Sequence, residues 1–169
     1  MSQPIHHIRR RERAVEDDAW ISSFLQRAQF GSVASVEEGQ PFINPVIFVY
    51  EPTAHALYFH TGRAGRIYAN LTANPRLCFN ACEMIGLIAG TAAAGFDVVY
   101  ESVMVFGQAQ VIAEAAEATH VLQLLLAKYF PHLRYGEDYQ PIVPEQLTPT
   151  AVWRVPVEAW SGKRKAMGD

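Results

Sequence analysis

Apolar positions along the chain alternate with polar ones over several short stretches and take helical spacing in only two or three. Trp20, Ile21, Phe24, Leu25 and Ala28 fall on one helical face, and Asp17 or Asp18 can cap that helix. Residues Met1 to Val15 ahead of it read as an extended arm. Ser32 to Val36 then predicts a strand, Glu37-Glu38-Gly39-Gln40 a hairpin turn, and Pro41 to Tyr50 the returning strand. Pro45 lies inside that return. It cannot donate to a ladder, so it implies an edge, a bulge or an opening where a planar ligand could lie against backbone groups.

Ala56 to His60 and Arg76 to Met84 predict two further strands, and the Gly/Ala-rich run Ile85 to Asp97 an irregular segment. Its Gly-Thr-Ala-Ala-Ala-Gly portion lacks the lysine and the strand–helix setting of a phosphate loop. Val98 to Ala113 predicts one long strand or a bent pair, with Gly107 at the bend. Glu114 to Phe130 is the clearest helix, stopped by Pro131. Four prolines between Pro131 and Pro149 predict an ordered surface loop, and Thr150 to Trp160 the last strand. About six strands and two or three helices, with no internal repeat and no βαβ alternation, predict a mainly β (α+β) fold. The expected form is an antiparallel barrel with helical additions.

Composition narrows the class. The chain has 169 residues, half of them hydrophobic and 18% charged, with a net charge of −3. That is the balance of one globular domain spanning 1–169, with nothing pointing to nucleic acid. The basic clusters Arg9, Arg10, Arg11, Arg13 and Lys163, Arg164, Lys165 read as solvated termini, the second within a basic tail over 161–169. No secretory leader precedes an apolar core, and no apolar run reaches membrane-spanning length, so the expectation is a soluble, cytoplasmic protein. Cys78 and Cys82 lack partners at metal-site spacing and are read as small core residues, with no metal site.

The chemistry concentrates between Leu57 and Pro75, LYFHTGRAGRIYANLTANP. A strand, a Gly/Thr/Arg turn and a helix start can hold a phosphate, because first-turn amides and the helix dipole favour an anion. Arginine adds forked, charge-assisted hydrogen bonds. The local pattern is equally that of a solvated loop with two surface arginines, and it matches neither a P-loop nor a dinucleotide fingerprint.

The same stretch resembles the phosphate-binding segment of the FMN-binding split-barrel superfamily, which includes the pyridoxamine 5'-phosphate oxidases. Within it the likeness is to the branch related to 5-nitroimidazole-resistance (Nim) proteins. Tyr58, Phe59, His60, Thr61, Gly65, Arg66, Asn74 and Pro75 fit that branch's pattern, whereas Ile67 replaces its usual lysine. The resemblance extends from about Arg10 to Lys165 through Arg10–Ala14, Phe30–Ala34, Pro41–Val46, Tyr100–Gly107 and Gly162–Arg164, in that order.

The resemblance implies a six-stranded antiparallel split β-barrel with flanking helices, forming a homodimer with FMN in two interface clefts. It implies an FMN-dependent oxidoreductase that reduces nitroaromatic or similar small molecules with NAD(P)H. Thr61, Arg63 and Arg66 would hold the phosphate, and the backbone of Asn44, Pro45, Val46, Ile47 and Phe48 would border the ring. Ser102 either meets the cofactor or bonds its own backbone. His60 would bind substrate or give it a proton as the catalytic residue, or else be a histidine bonded at the barrel mouth. Trp160 packs on a partner subunit or over the flavin. A non-catalytic flavin-binding protein, and a deazaflavin- or haem-binding member of the same fold, are the alternatives.

Overall fold

A computed structural model describes residues 3–167; the ends of the expected arm and tail, residues 1–2 and 168–169, lie outside the described residues. Among the described residues ten strands make two antiparallel sheets. Six of them are β1 (Ala14–Val15), β2 (Gly31–Glu37), β3 (Gln40–Val46), β4 (Phe48–Glu51), β5 (Ala56–Gly62) and β6 (Arg76–Ile88). The others are β7 (Asp97–Gln108), β8 (Gln110–Val111), β9 (Thr150–Pro156) and β10 (Ala159–Lys165). One sheet runs β1-β10-β7-β6-β2-β3 and the other β4-β5-β9-β8. Four α-helices accompany them: α1 (Asp18–Arg27), α2 (Arg66–Ala73), α3 (Ala115–Tyr129) and α4 (Pro144–Leu147).

The mainly β, antiparallel split-barrel reading holds, and the larger strand count has one physical cause. Three of the expected strands turn a corner and pass from one sheet to the other. Pro41–Tyr50 breaks at Ile47 into β3 and β4, Val98–Ala113 at Ala109 into β7 and β8, and the last strand after Pro156 into β9 and β10. With β1 these breaks account for ten. At one corner Gly107 is required, since a Cβ there would stand 2.3 Å from the Pro156 carbonyl oxygen.

Local signals hold where their chemistry is explicit. Asp17 caps α1, accepting from the amides of Ala19 and Trp20 at 2.9 and 3.3 Å. Glu38 and Gly39 both have positive φ, 49° and 79°, as a tight two-residue hairpin requires. Asn74 ends α2, and its side chain ties the exit to β2 by donating to the Val36 carbonyl at 3.0 Å.

The main core fills the space between the sheets under α1, with Trp153, Phe24, Phe48, Phe59 and Phe79 fully buried. A second cluster lies under α3, built from Tyr58, Ile112, Val121, Leu125 and Val152. Lys128 on α3 joins helix to barrel: its ammonium donates to the carbonyls of Ala28 and Phe48 at 2.8 and 3.1 Å. It also sits 4.1 Å from the Phe48 ring centre.

Several expectations at the edges are corrected. Residues 161–165 are not a solvated tail but most of β10, and Lys165 is buried and ion-paired with Asp97. Arg13, expected in a solvated arm, reaches the same carboxylate at 3.5 Å. Cys82 is exposed and Cys78 half-buried, so neither is a core residue; both lie on the outer face of β6, opposite Leu77, Phe79 and Ala81. Ile85–Ile88 continue β6 past a bulge rather than joining the irregular segment, and α4 interrupts the proline-rich loop.

Candidate functional site

The alternation of β5 sorts its residues between two environments. Leu57 and Phe59 face the main core, with Thr61 next on that side, whereas Ala56 and Tyr58 face α3 and His60 follows them. Thr61 is buried, and its Oγ1 accepts from the indole Nε1 of Trp153 at 2.9 Å. His60 is half-buried, and its Nδ1 is closed off from solvent with no hydrogen-bond partner among the described residues. Burial pushes its pKa below the usual histidine range, so the ring is neutral near pH 7.

After Gly62 the chain turns and starts α2 at Arg66, with Gly65 as an N-cap that offers no side chain to the first-turn amides. This uncapped helix start faces β3 across a groove of about 440 Å³. One wall is Asn44, Pro45, Val46 and Ile47, and the other is Thr61, Gly65, Arg66 and Ile67, with His60 also lining it. β3 is the edge strand of its sheet, which is where a proline in a strand is tolerated; Pro45 pairs only with Ser32. Arg66 is exposed, its guanidinium 5.2 Å from the Phe42 ring centre at the groove. Among the described residues Arg66 is the one fully charged side chain lining the groove, and no carboxylate does. Dipole and charge at this wall both favour an anionic group over a cationic one.

Three expected site residues are placed elsewhere. Phe48 is fully buried, and its carbonyl accepts from Lys128 and from the Tyr129 hydroxyl, so its backbone cannot border a ligand in the groove. Arg63 turns away: its amide donates to the Pro149 carbonyl at 2.9 Å and its Nε to that of Thr150 at 3.1 Å. Ser102 lies on the outer face of the six-stranded sheet, in a separate cavity with Asn80, Tyr100 and Lys163. Ile67, at the position of the resembled family's lysine, is buried in the core and brings no charge to the groove.

A second recess was not legible in the sequence. Behind His60, between α3 and α4, Ile47, Leu122, Leu126, Phe130 and Ile142 line a cleft of about 280 Å³. Residues 122 and 126 on α3 and 130 at its C-cap recur every four positions, a spacing that marks a helix face without saying whether that face is covered. Trp160 donates to Asp18 at 2.8 Å and lies edge-on to His55 within the chain.

The fold has solved counterparts. The flavocytochrome Anf3 from Azotobacter vinelandii is 23% identical, with a TM-score of 0.81, covering 96% of this chain and 73% of that one. A candidate 5-nitroimidazole antibiotic resistance protein from Bacteroides thetaiotaomicron is 26% identical at a TM-score of 0.75, covering 89% and 86%. The FAD- and haem-binding protein from Mycobacterium smegmatis is 18% identical at 0.81, covering 92% and 74%. No curated protein sequence matches. Residues 17–164 match the family model described as pyridoxamine 5'-phosphate oxidase. A match over that much of the chain places this protein in the pyridoxamine 5'-phosphate oxidase family.

Proposed function

We propose that the chain binds FMN in the groove between β3 and α2 and acts as an oxidoreductase on small-molecule acceptors, using NAD(P)H. The observation that carries this reading is the groove itself: an uncapped helix start and a lone arginine at one wall, an open strand edge at the other. Its volume lies within the roughly 300–1,000 Å³ of small-molecule sites. The residues present fit the cofactor. Arg66, the Gly65–Ile67 backbone and the Thr61 hydroxyl would take the phosphate, and Asn44–Ile47 would border the ring. FAD carries the same flavin half, so the groove would accept its mononucleotide portion too. A flavin held there supplies hydride transfer. The chain's part is to fix the phosphate, hold the ring against the strand edge and present His60 beside it.

The solved neighbours described as a flavocytochrome and as FAD- and haem-binding raise haem as a second reading, with His60 as the one histidine in place. The cleft beside it, at about 280 Å³, falls below the usual range for enclosing even a drug-sized ligand, which favours flavin in the groove.

The chain would work as a homodimer. Supporting this, the outer face of β6 and β7 exposes Met84 and Met104 beside Cys82, an apolar surface that a second copy would cover. Ser102 lies on that face, so it would reach a flavin only across the interface. The absorption spectrum of purified protein tests the cofactor: a flavin spectrum is expected, and a Soret band or a colourless protein that refuses FMN contradicts the reading. Sedimentation tests the dimer, which a flavin-loaded monomer at micromolar concentration would contradict.

A further inference from the structure

The cleft behind His60 differs in chemistry from the groove in front of it. Leu122, Leu126, Phe130 and Ile142 make its walls mostly apolar; Gln146 and Thr150 also line it, their Oε1 and Oγ1 engaged by the Val143 amide and the Gln146 carbonyl, while Ile47 and His60 are shared with the groove. We propose that this cleft is a binding site for a small aromatic ring carrying a carbonyl-type oxygen, which accepts a hydrogen bond from His60 Nε2–H. Resting on the flavin reading above, that ring would be the acceptor: flavin reduced by NAD(P)H would pass it a hydride and be reoxidised, His60 Nε2–H would keep its hydrogen bond to the oxygen, and the proton that completes the reduction would come from water.

Three observations specify the occupant. An apolar cavity of about 150 Å³ suffices for benzene, so about 280 Å³ takes one substituted ring and not a large polycyclic ligand. The tautomer of His60 follows from its surroundings. Nδ1 is buried without a partner, and a proton there would be an unpaired N–H in an apolar site, so the proton of the neutral ring belongs on Nε2. Nε2 is not shut off in this way, and it makes the histidine a donor. The cleft also opens on the same side chains as the groove, so a ring seated in it lies next to whatever the groove holds.

Acetophenone and ethylbenzene are matched probes, alike in ring and length and different in the carbonyl. Both are titrated calorimetrically into the full chain as purified, with flavin content read from the visible spectrum of the same sample. Acetophenone is expected to bind about three- to tenfold more tightly, the worth of one neutral hydrogen bond. His60→Leu should remove that difference, and Leu126→Phe, which fills the cleft, should weaken both probes about tenfold or more while leaving the sedimentation behaviour unchanged. Equal affinities in the wild type, a difference that survives His60→Leu, or indifference of both probes to Leu126→Phe overturns the site. Loss of association in Leu126→Phe would assign the cleft to a second copy of the chain and also overturns it. Flavin-loaded protein that binds neither probe refutes this inference alone, whereas ring binding by protein that takes no flavin refutes the flavin reading alone.

Discussion

Trp153 Nε1 donates to Thr61 Oγ1 at 2.9 Å, so a residue that lines the groove is held from behind by the largest side chain of the core. This bond joins core and site. Trp153 is also stacked with Phe59 and tilted against Tyr68, which fixes the indole before it reaches Thr61.

Thr61→Val keeps the shape of the residue and leaves the indole N–H buried without a partner. A buried donor so orphaned costs about 1–3 kcal/mol, and urea denaturation should show a loss of that size. A loss below about 0.5 kcal/mol would mean that the indole finds another acceptor and that Thr61 is not anchored by the core.

His60→Ala should keep the fold and most flavin affinity, because the ring makes no hydrogen bond that holds β5 in place. Turnover of a nitroaromatic or aromatic carbonyl acceptor should fall about a hundredfold, the usual effect of losing one positioned hydrogen-bond donor to the charge developing on the acceptor oxygen. Steady-state kinetics with NAD(P)H check this; an unchanged kcat/KM would leave His60 a structural residue.

Lys128 should give the stability curve a definite slope in mild alkali. Burial holds its pKa down to about 8, against 10.5 for the free side chain. Between those values the unfolded chain keeps a proton that the folded chain has released, so stability from this group rises with pH. Below pH 8 both states are charged and the burial penalty is fully present. Comparing wild type with Lys128→Met from pH 7.5 to 9.5, the wild type should gain relative to the variant as pH rises. A flat or falling difference would show that the three backbone carbonyls around the ammonium, those of Leu25, Ala28 and Phe48, offset its burial.

Asp97 gives a slope of the same sign at the acid end of the curve. Its bond to Lys165 first, then the Val98 amide and the nearby charge of Arg13, lower its pKa to about 2. The ordinary carboxylate value is higher, so its contribution is present above about pH 4 and lost as pH falls toward 2. Acid unfolding of Asp97→Asn should therefore begin from a lower stability at neutral pH and show a shallower acid slope. Identical slopes would remove the carboxylate from the anchoring of β10.

Much of the architecture could be read from the residues because its causes are local. The Asp17 cap, the Glu38-Gly39 hairpin, the Asn74-Pro75 stop and the Pro45 edge each follow from side-chain or backbone constraints within a few positions. The corners at Ile47, Ala109 and Pro156 could not, because a strand that changes sheets keeps its alternation and changes only its partners. The same limit explains the site. Arg66, Thr61 and the Asn44–Ile47 wall line one groove, whereas the diversion of Arg63 to Thr150 depends on a residue 87 positions away. Phe48 was lost to the groove through α3, and the basic run 163–165 became a strand through Arg13 and Asp97, contacts that no local window contains.

Titration of flavin-free protein with FMN and with riboflavin, for wild type and Arg66→Ala, tests the phosphate cradle most directly. The two ligands differ by one phosphate, and Arg66 is the one fully charged side chain among the described residues lining the groove. Ile67 is buried and adds no charge beside it, so on this account the arginine carries the larger share of the charge recognition. A hydrogen bond to a charged partner contributes about 1.5–3 kcal/mol, roughly ten- to a hundredfold in affinity. The account predicts that Arg66→Ala weakens FMN by that factor, lessens the salt dependence of what remains, and leaves riboflavin nearly unchanged. Equal losses for both flavins, or no loss for either, would contradict it and put the phosphate elsewhere.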